Sequence, residues 1–456
     1  MGNRKTKNMT EGSTLKLLLS FAFPLFIGNI FQQLYNMVDS IVVGNVLGAN
    51  SLAAVGACGS LHWLFFSLAS GLAGGIGVIV AQFFGAGNEK RVQQTIQNAI
   101  YILGTTAIVV SGLAYAIAPQ VLRLLGTPGD IIAESIIYLR TTCMGMVFVA
   151  AYNGAANILY ALGNSRTPLM FLIISSILNT VLDILFVKTL GMGVFGAALA
   201  TVVAQFMVAV SCIVYARKTI YLFRIPAEYK KPDPEIIKSA LKIGTPIAMQ
   251  SSLIAISCLI LQNVVNSFGA TVVATFTITS RIEQLVQQPY NSLGSAVSNY
   301  TGQNMGAGLI DRVKKGYRVG LGIALTFTAL MFPLAFFFGR YLIAVFVREP
   351  EVIEMGSMAL KITSACFFPL CTIYIPRALL NGAGDAKFSI INGLAEIVGR
   401  VVFAYLFTGP LGFGHWGVWM TTGATWIIVS IVCHIRYRSG IWMHKGIVTQ
   451  TEGRTR

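Results

Sequence analysis

Apolar stretches about as long as a hydrocarbon core is thick recur from one end of this 456-residue chain to the other. A run of roughly 20 such residues crosses a bilayer as a helix, because about 1.5 Å of rise per residue covers a core of about 30 Å while every backbone polar group bonds inside the segment. Twelve runs can be read, at 15–46, 51–83, 92–118, 132–160, 167–188, 193–216, 239–267, 271–303, 316–338, 352–380, 388–408 and 414–435. The chain is therefore expected to be an all-α polytopic membrane protein with twelve transmembrane helices. Its charged fraction of 11% and mean hydropathy of +0.70 exclude a soluble core of this size.

The net charge of +16 raises the question of nucleic acid, and the placement of the charges answers it. With the N-terminus inside, 24 of the 33 Lys and Arg fall in inner loops and tails, seven of them in 217–242. Only Arg123, Arg140, Lys188, Arg340 and Arg348 fall outside, and Arg281, Lys361, Arg377 and Arg400 lie within spans. This is the positive-inside asymmetry of a multi-pass protein of a bacterial cytoplasmic (inner) membrane, and anionic headgroups explain the excess without nucleic acid. Both termini are expected in the cytoplasm. The opening MGNRKTKNMTEGST leads into a run too long for a signal-peptide core and lacks a small-residue cleavage site, so it is expected to be retained. The seven cysteines lie in or beside apolar spans without a CxxC pair, as small core residues do.

The chain repeats itself. QFFGAGNEKRV at 82–92 recurs as QNMGAGLIDRV at 303–313, LYALGNSR at 159–166 matches LLNGAGDAK at 379–387, and GMGVFGAALAT at 191–201 matches GFGHWGVWMTT at 412–422, all at an offset of 221. With one residue inserted, Pro24 falls against Pro246. One six-span unit is thus used twice: an N-terminal lobe at 1–216, a basic cytoplasmic linker at 217–238 and a C-terminal lobe at 239–456. Six spans return the chain to the face it left, so the lobes are parallel and pseudo-symmetric, with a substrate path expected in a central cavity between them. GMGVFG at 191–196 has dinucleotide-fold spacing but follows a membrane helix and not a strand, so Gly193 and Gly196 are read as letting the sixth helix pack closely.

Four acids fall inside spans away from their ends: Asp39, Asp183, Glu283 and Glu396. An intramembrane carboxylate is costly unless it is paired, protonated or facing a cavity. In the first span Gln32, Tyr35, Asn36 and Asp39 share one helix face, as do Asn179 and Asp183 in the fifth and Asn153 and Asn157 in the fourth. Counting about 1.5 Å per residue places Asp39, Asp183 and Thr201 together in the outer half of the bilayer. Two carboxylates, an amide, a hydroxyl and a phenol at one depth make a polar chamber for a proton or a sodium ion. The plainer reading is that these groups only tie helices together. At the repeat offset Asp39 and Asp183 become Ile260 and Ala404, so the chamber is expected in one lobe only. In the eighth span Ser280, Glu283, Gln287 and Asn291 form a stripe, with Glu283 either drawing organic cations into the inter-lobe cavity or bonded to Arg281 or a glutamine. Glu396 and Arg400, four apart, are read as a pair.

The segments FPLFIGNIFQQLYNMVDSIVVG, GAGN, LGNSRTP and LNTVLDILFV, in this order and spacing, resemble the multidrug and toxic compound extrusion (MATE) transporters over roughly residues 10–440. The resemblance implies antiport: an inward flow of sodium or protons drives export of amphipathic, often cationic, drugs by alternating access. It also implies a first-lobe cation site of Asp39, Asn179, Asp183 and Thr201, with Tyr35, Asn153 and Asn157 nearby. The polar stripes themselves make Gln32, Asn36, Glu283, Gln287 and Asn291 substrate-cavity candidates. No cofactor is expected, and the working form is expected to be a monomer in the bilayer. Because the tenth span, 352–380, has no acid past Glu354, a second-lobe cation site is not expected. Two rivals remain open: a lipid-linked precursor flippase of the same wider superfamily, which buried arginines beside the first two helices would favour, and a membrane-embedded enzyme. The four histidines, without HExxH, a GxSxG elbow or a cysteine pair, argue against the enzyme.

Overall fold

A computed structural model describes residues 6–124 and 127–447; the basic ends at 1–5 and 448–456 lie outside it. The described residues form thirteen α-helices and no strand: α1 Thr14–Leu47, α2 Ala49–Gly85, α3 Glu89–Leu124, α4 Ile132–Ala161, α5 Arg166–Asp183, α6 Gly193–Thr219, α7 Pro234–Asn266, α8 Ala270–Gly306, α9 Ile310–Ala344, α10 Pro350–Ser364, α11 Phe367–Gly382, α12 Ala386–Thr408 and α13 Trp416–Arg438. Ten are long and apolar enough to span a membrane, and α10 with α11 makes an eleventh, bent by 50°. The tenth run read from the sequence is therefore broken at Ala365–Cys366 and is not one straight helix. The remaining helix, α8, is long enough at 37 residues but too polar to pass as an apolar span, a consequence of its Gln, Asn, Ser and Thr content.

The repeat is written into the turns. Glycines with positive φ stand in pairs 221 residues apart: Gly48 and Gly269 (φ 92° and 90°), Gly87 and Gly308 (71° and 72°), Gly163 and Gly384 (79° and 84°), Gly191 and Gly412 (63° and 70°). Only a residue without Cβ enters this region cheaply, so helix ends fixed by such glycines recur at the same register. Gly193, with φ 62° and open space beside it, likewise serves a turn and not the close packing expected of it. Gly196 does pack closely, since a Cβ there would lie 3.2 Å from the Phe186 carbonyl carbon.

The chain forms two compact units. The first takes the segment ending at Met9 and Phe23–Ala248; the second takes Thr10–Ala22 and the chain from Met249 on. These units and the linear lobes 1–216 and 239–456 differ in two short stretches, the start of α1 and the start of α7. Each division falls within two residues of a repeat-matched proline, Pro24 or Pro246.

In the first unit α4 is the central helix, packed on α2, α3 and α6. Small residues permit this: Ala197, Ala198, Ala200 and Ala204 of α6 are buried, and Gly77 of α2 lies 3.3 Å from the Asn157 carbonyl by its missing Cβ. The linker docks on the same unit. Arg91 of α3 pairs with Asp233 at 2.9 Å and Glu235 at 3.0 Å, while Asp233 Oδ1 accepts the Glu235 backbone N–H and caps α7. In the second unit α11 packs on α8, α9 and α13, and Trp419 is buried in a separate cluster with Leu261, Val272, Ala359 and Ala404. The Trp419 indole N–H donates to Thr279 Oγ1 at 3.0 Å, which satisfies a polar group the core would otherwise strand.

Candidate functional site

Within the first unit the chamber expected from spacing does assemble. Asp183 is fully buried as the last residue of α5, immediately before a six-residue π-helical turn, Ile184–Thr189. Such wider turns interrupt the regular hydrogen-bond ladder and concentrate at functional sites. Asn179, one helical turn earlier, is 1% exposed. Its amide best satisfies both neighbours with the nitrogen donating to Asp183 Oδ2 at 2.7 Å and the oxygen accepting from the Thr201 backbone N–H at 3.1 Å. The opposite orientation offers only a 3.5 Å contact to Thr201 Oγ1, at the limit of a hydrogen bond.

From α1, Asp39 comes beside Asp183, and Tyr35 beside Thr201. Tyr138 of α4, which sequence spacing did not single out, lies beside both acids. It stands too far from Asn153 in the chain for the helix-face argument to have found it. Asp39 Oδ1 and Asp183 Oδ1 are each buried without a hydrogen-bond partner among the described residues. Two carboxylates this close resist carrying two negative charges out of water, and their spare oxygens are acceptors for a proton or a hard cation. No group of three or more His, Cys, Asp or Glu among the described residues could hold a metal ion, so any cation here relies on two carboxylates and neutral oxygens.

The flanking candidates divide. The Asn153 amide donates to the Val149 carbonyl at 3.0 Å and the Asn157 amide to the Asn153 carbonyl at 2.9 Å, so each commits one N–H to its own helix. Gln32 and Asn36 are exposed on α1.

The second unit holds a partly open cavity of about 310 Å³ between α7, α8, α11, α12 and α13. Glu283 and Gln287 line it, and Gln287 accepts a 2.7 Å hydrogen bond from Tyr374; Asn291 is exposed and is not among its lining. Glu283 lies near Thr363 and Arg400, and not against Arg281. The expected Glu396–Arg400 pair is present at 3.2 Å, with Arg377 as a second guanidinium at 3.3 Å that helical spacing alone could not show. These arginines belong to α11 and α12, so the feature that would mark a flippase beside α1 and α2 is not what they form.

A duplicated set of long apolar helices with polar groups between them is the architecture of a membrane transporter. The family model for MatE matches residues 24–185 and again 246–406, once in each copy of the repeat. This chain belongs to the MATE family of multidrug efflux transporters. It is 30% identical to the probable multidrug resistance protein YpnP of Bacillus subtilis, over 98% of this chain and 100% of that one. It is 24% identical to the probable multidrug resistance protein NorM of Thermotoga maritima, over 95% and 94%. Among solved structures, the crystal structure of MATE in the bent conformation superposes with a TM-score of 0.89 at 25% identity, covering 99% of this chain and 100% of that one.

Proposed function

We propose that this protein works as a monomer in the bacterial cytoplasmic membrane, both termini inside, and exports amphipathic, often cationic, compounds by antiport against protons or sodium ions. The observation that carries the reading is the Asp39–Asp183 pair beside Asn179 and Thr201, Asp183 fully buried and Asp39 half-buried, with one buried, unsatisfied oxygen on each acid. Open to the outside, the pair takes up a cation, which lowers its negative charge by one; the site so loaded then favours the alternate state, in which the cation leaves. Drug and cation occupy mutually exclusive states, and coupling arises because each binds the two states with different affinity. Asp39 and Asp183 carry the cation, Asn179 and Thr201 supply neutral oxygens, and Tyr35 orients Thr201. Protons and sodium use the same oxygens.

The test is dye efflux from cells or inverted vesicles under imposed sodium or proton gradients. Asp39→Asn and Asp183→Asn are each expected to abolish the gradient-driven component. Full gradient-driven efflux in both variants would overturn the assignment.

A further inference from the structure

Glu134 stands in the first turn of α4, and its Oε2 is buried without a hydrogen-bond partner among the described residues. A glutamate at the third position of a helix ordinarily turns back to accept the backbone N–H of the capping residue. Here that N–H, of Ile131, goes to the Pro128 carbonyl at 3.2 Å instead. Among the described residues no Lys or Arg forms an ion pair with Glu134. The helix dipole favours a negative charge in this turn, yet it leaves the buried oxygen unmatched, and an unmatched buried acceptor costs free energy.

The packing of α4 fixes where this residue stands. The Ser135 hydroxyl donates to the Ala54 carbonyl at 3.2 Å and the Cys58 thiol to the Ser135 carbonyl at 3.2 Å, so the first turn of α4 is pinned on α2. At about 100° per residue, Glu134 lies about 40° from Tyr138 and about 20° from Gly145 around the helix. Tyr138 is beside Asp39 and Asp183, and a Cβ on Gly145 would fall 2.6 Å from Cγ2 of Val202, the residue after Thr201. Glu134 therefore shares the face that α4 turns to the acid pair, and stands one turn, about 6 Å, nearer the helix end. The pair lies toward the same end of its own helices: Leu47, the end of α1, is eight residues past Asp39, and Gly193, the start of α6, is eight before Thr201. In the topology proposed above that end faces outside. Glu134 is half-buried, at the boundary between solvent and the helices that hold the pair.

We propose that Glu134 is the capture group through which the coupling cation enters, held briefly at its carboxylate before it moves inward past Tyr138 to Asp39 and Asp183. A fixed negative charge at the mouth raises the local concentration of a sodium ion or a proton. The unmatched Oε2 offers that ion an oxygen on the way in, while a lone carboxylate supplies too few ligands for a hard cation to rest there. Carried as a proton, the ion is taken from water and given up to the pair, which returns Glu134 to its carboxylate. The inference rests on the reading of the Asp39–Asp183 pair as the coupling site.

The test is gradient-driven dye efflux from loaded cells, with the outside sodium or proton concentration varied at fixed ionic strength. At an ionic strength of about 0.01 M, where charges are felt over about 30 Å, Glu134→Gln should lower the initial slope of efflux rate against cation concentration roughly three- to tenfold. Glu134→Lys should lower it further, and Glu134→Asp should stay within about twofold of wild type. At about 0.15 M, made up with N-methylglucamine chloride, the screening length is about 8 Å and the Glu134→Gln slope should return to within about twofold of wild type. The maximal rate at saturating cation should be unchanged throughout, as a ligand of the final site or a folding residue would not allow. An unchanged slope in Glu134→Gln and Glu134→Lys, a loss that is equal at both ionic strengths, or a fall in the maximal rate alone would each overturn the inference. These outcomes leave the coupling site standing, since that reading falls only if Asp39→Asn and Asp183→Asn both keep full gradient-driven efflux.

Discussion

Asp39 on α1 and Asp183 on α5 stand beside one another, 144 positions apart in the chain, and each keeps one buried oxygen that no described group satisfies. A pair held only to tie two helices together would be expected to fill its acceptors with amide or hydroxyl donors. Asn179 fills one Asp183 oxygen and Thr201 holds Asn179, which leaves the spare oxygens free for a cation.

Thr201 offers a graded test of that arrangement. Its hydroxyl donates to the Ala197 carbonyl at 3.2 Å and has lone pairs to spare. Thr201→Ser keeps the oxygen and should leave the cation concentration for half-maximal efflux within about twofold of wild type. Thr201→Ala removes one ligand and should raise it by roughly tenfold, the equivalent of about 1.4 kcal/mol. Equal behaviour of the two variants in gradient-driven dye efflux would remove Thr201 from the site.

The crossing of α2 and α7 in the first unit has almost no room. A Cβ on Gly75 would stand 2.4 Å from the Gly244 Cα, and backbone cannot step aside as a side chain can. Gly75→Ala is expected to destabilise by about 1–3 kcal/mol and lower the Tm of the purified protein. Its neighbour Gly74 has open space, so Gly74→Ala should leave the Tm unchanged or slightly raised, as alanine favours a helix. If the two variants melt together, the close approach is not real.

Asp385 sits 1% exposed at the start of α12 and receives both Arg436 Nε at 2.7 Å and Nη2 at 2.9 Å. Arg436→Gln leaves a buried carboxylate short of its donors and should cost about 2 kcal/mol. Asp385→Asn in the Arg436→Gln background should recover part of that loss, because the stranded charge is gone. Thermal unfolding of the four proteins in a cycle measures the coupling; additive shifts would show that the pair contributes nothing.

Arg91 tests the docking of the linker. With its partners between a quarter and a half exposed, solvent screens these bridges, and Arg91→Gln should cost about 0.5–1 kcal/mol at most. Limited proteolysis at 217–238 should quicken while gradient-driven efflux persists; unchanged cleavage would show that the bridges do not hold the segment.

Periodicity of polar residues within one helix was enough to place Asp39 with Tyr35, and Asp183 with Asn179, because a regular helix maps sequence spacing directly onto a face. Depth along the helix then matched residues on different spans. The 221-residue repeat and its turn glycines were legible for the same reason, since left-handed turns admit few residue types. Three things required the folded chain. The break at Ala365–Cys366 and the π-helical turn after Asp183 are local departures from the helical period, so a reading built on that period passes over them. Tyr138 and Arg377 reach their sites from helices whose rotation is set by packing against neighbours. The oxygen left unsatisfied on each acid is a matter of which donors arrive within about 3 Å, and that is decided only when α1, α4, α5 and α6 close around one point.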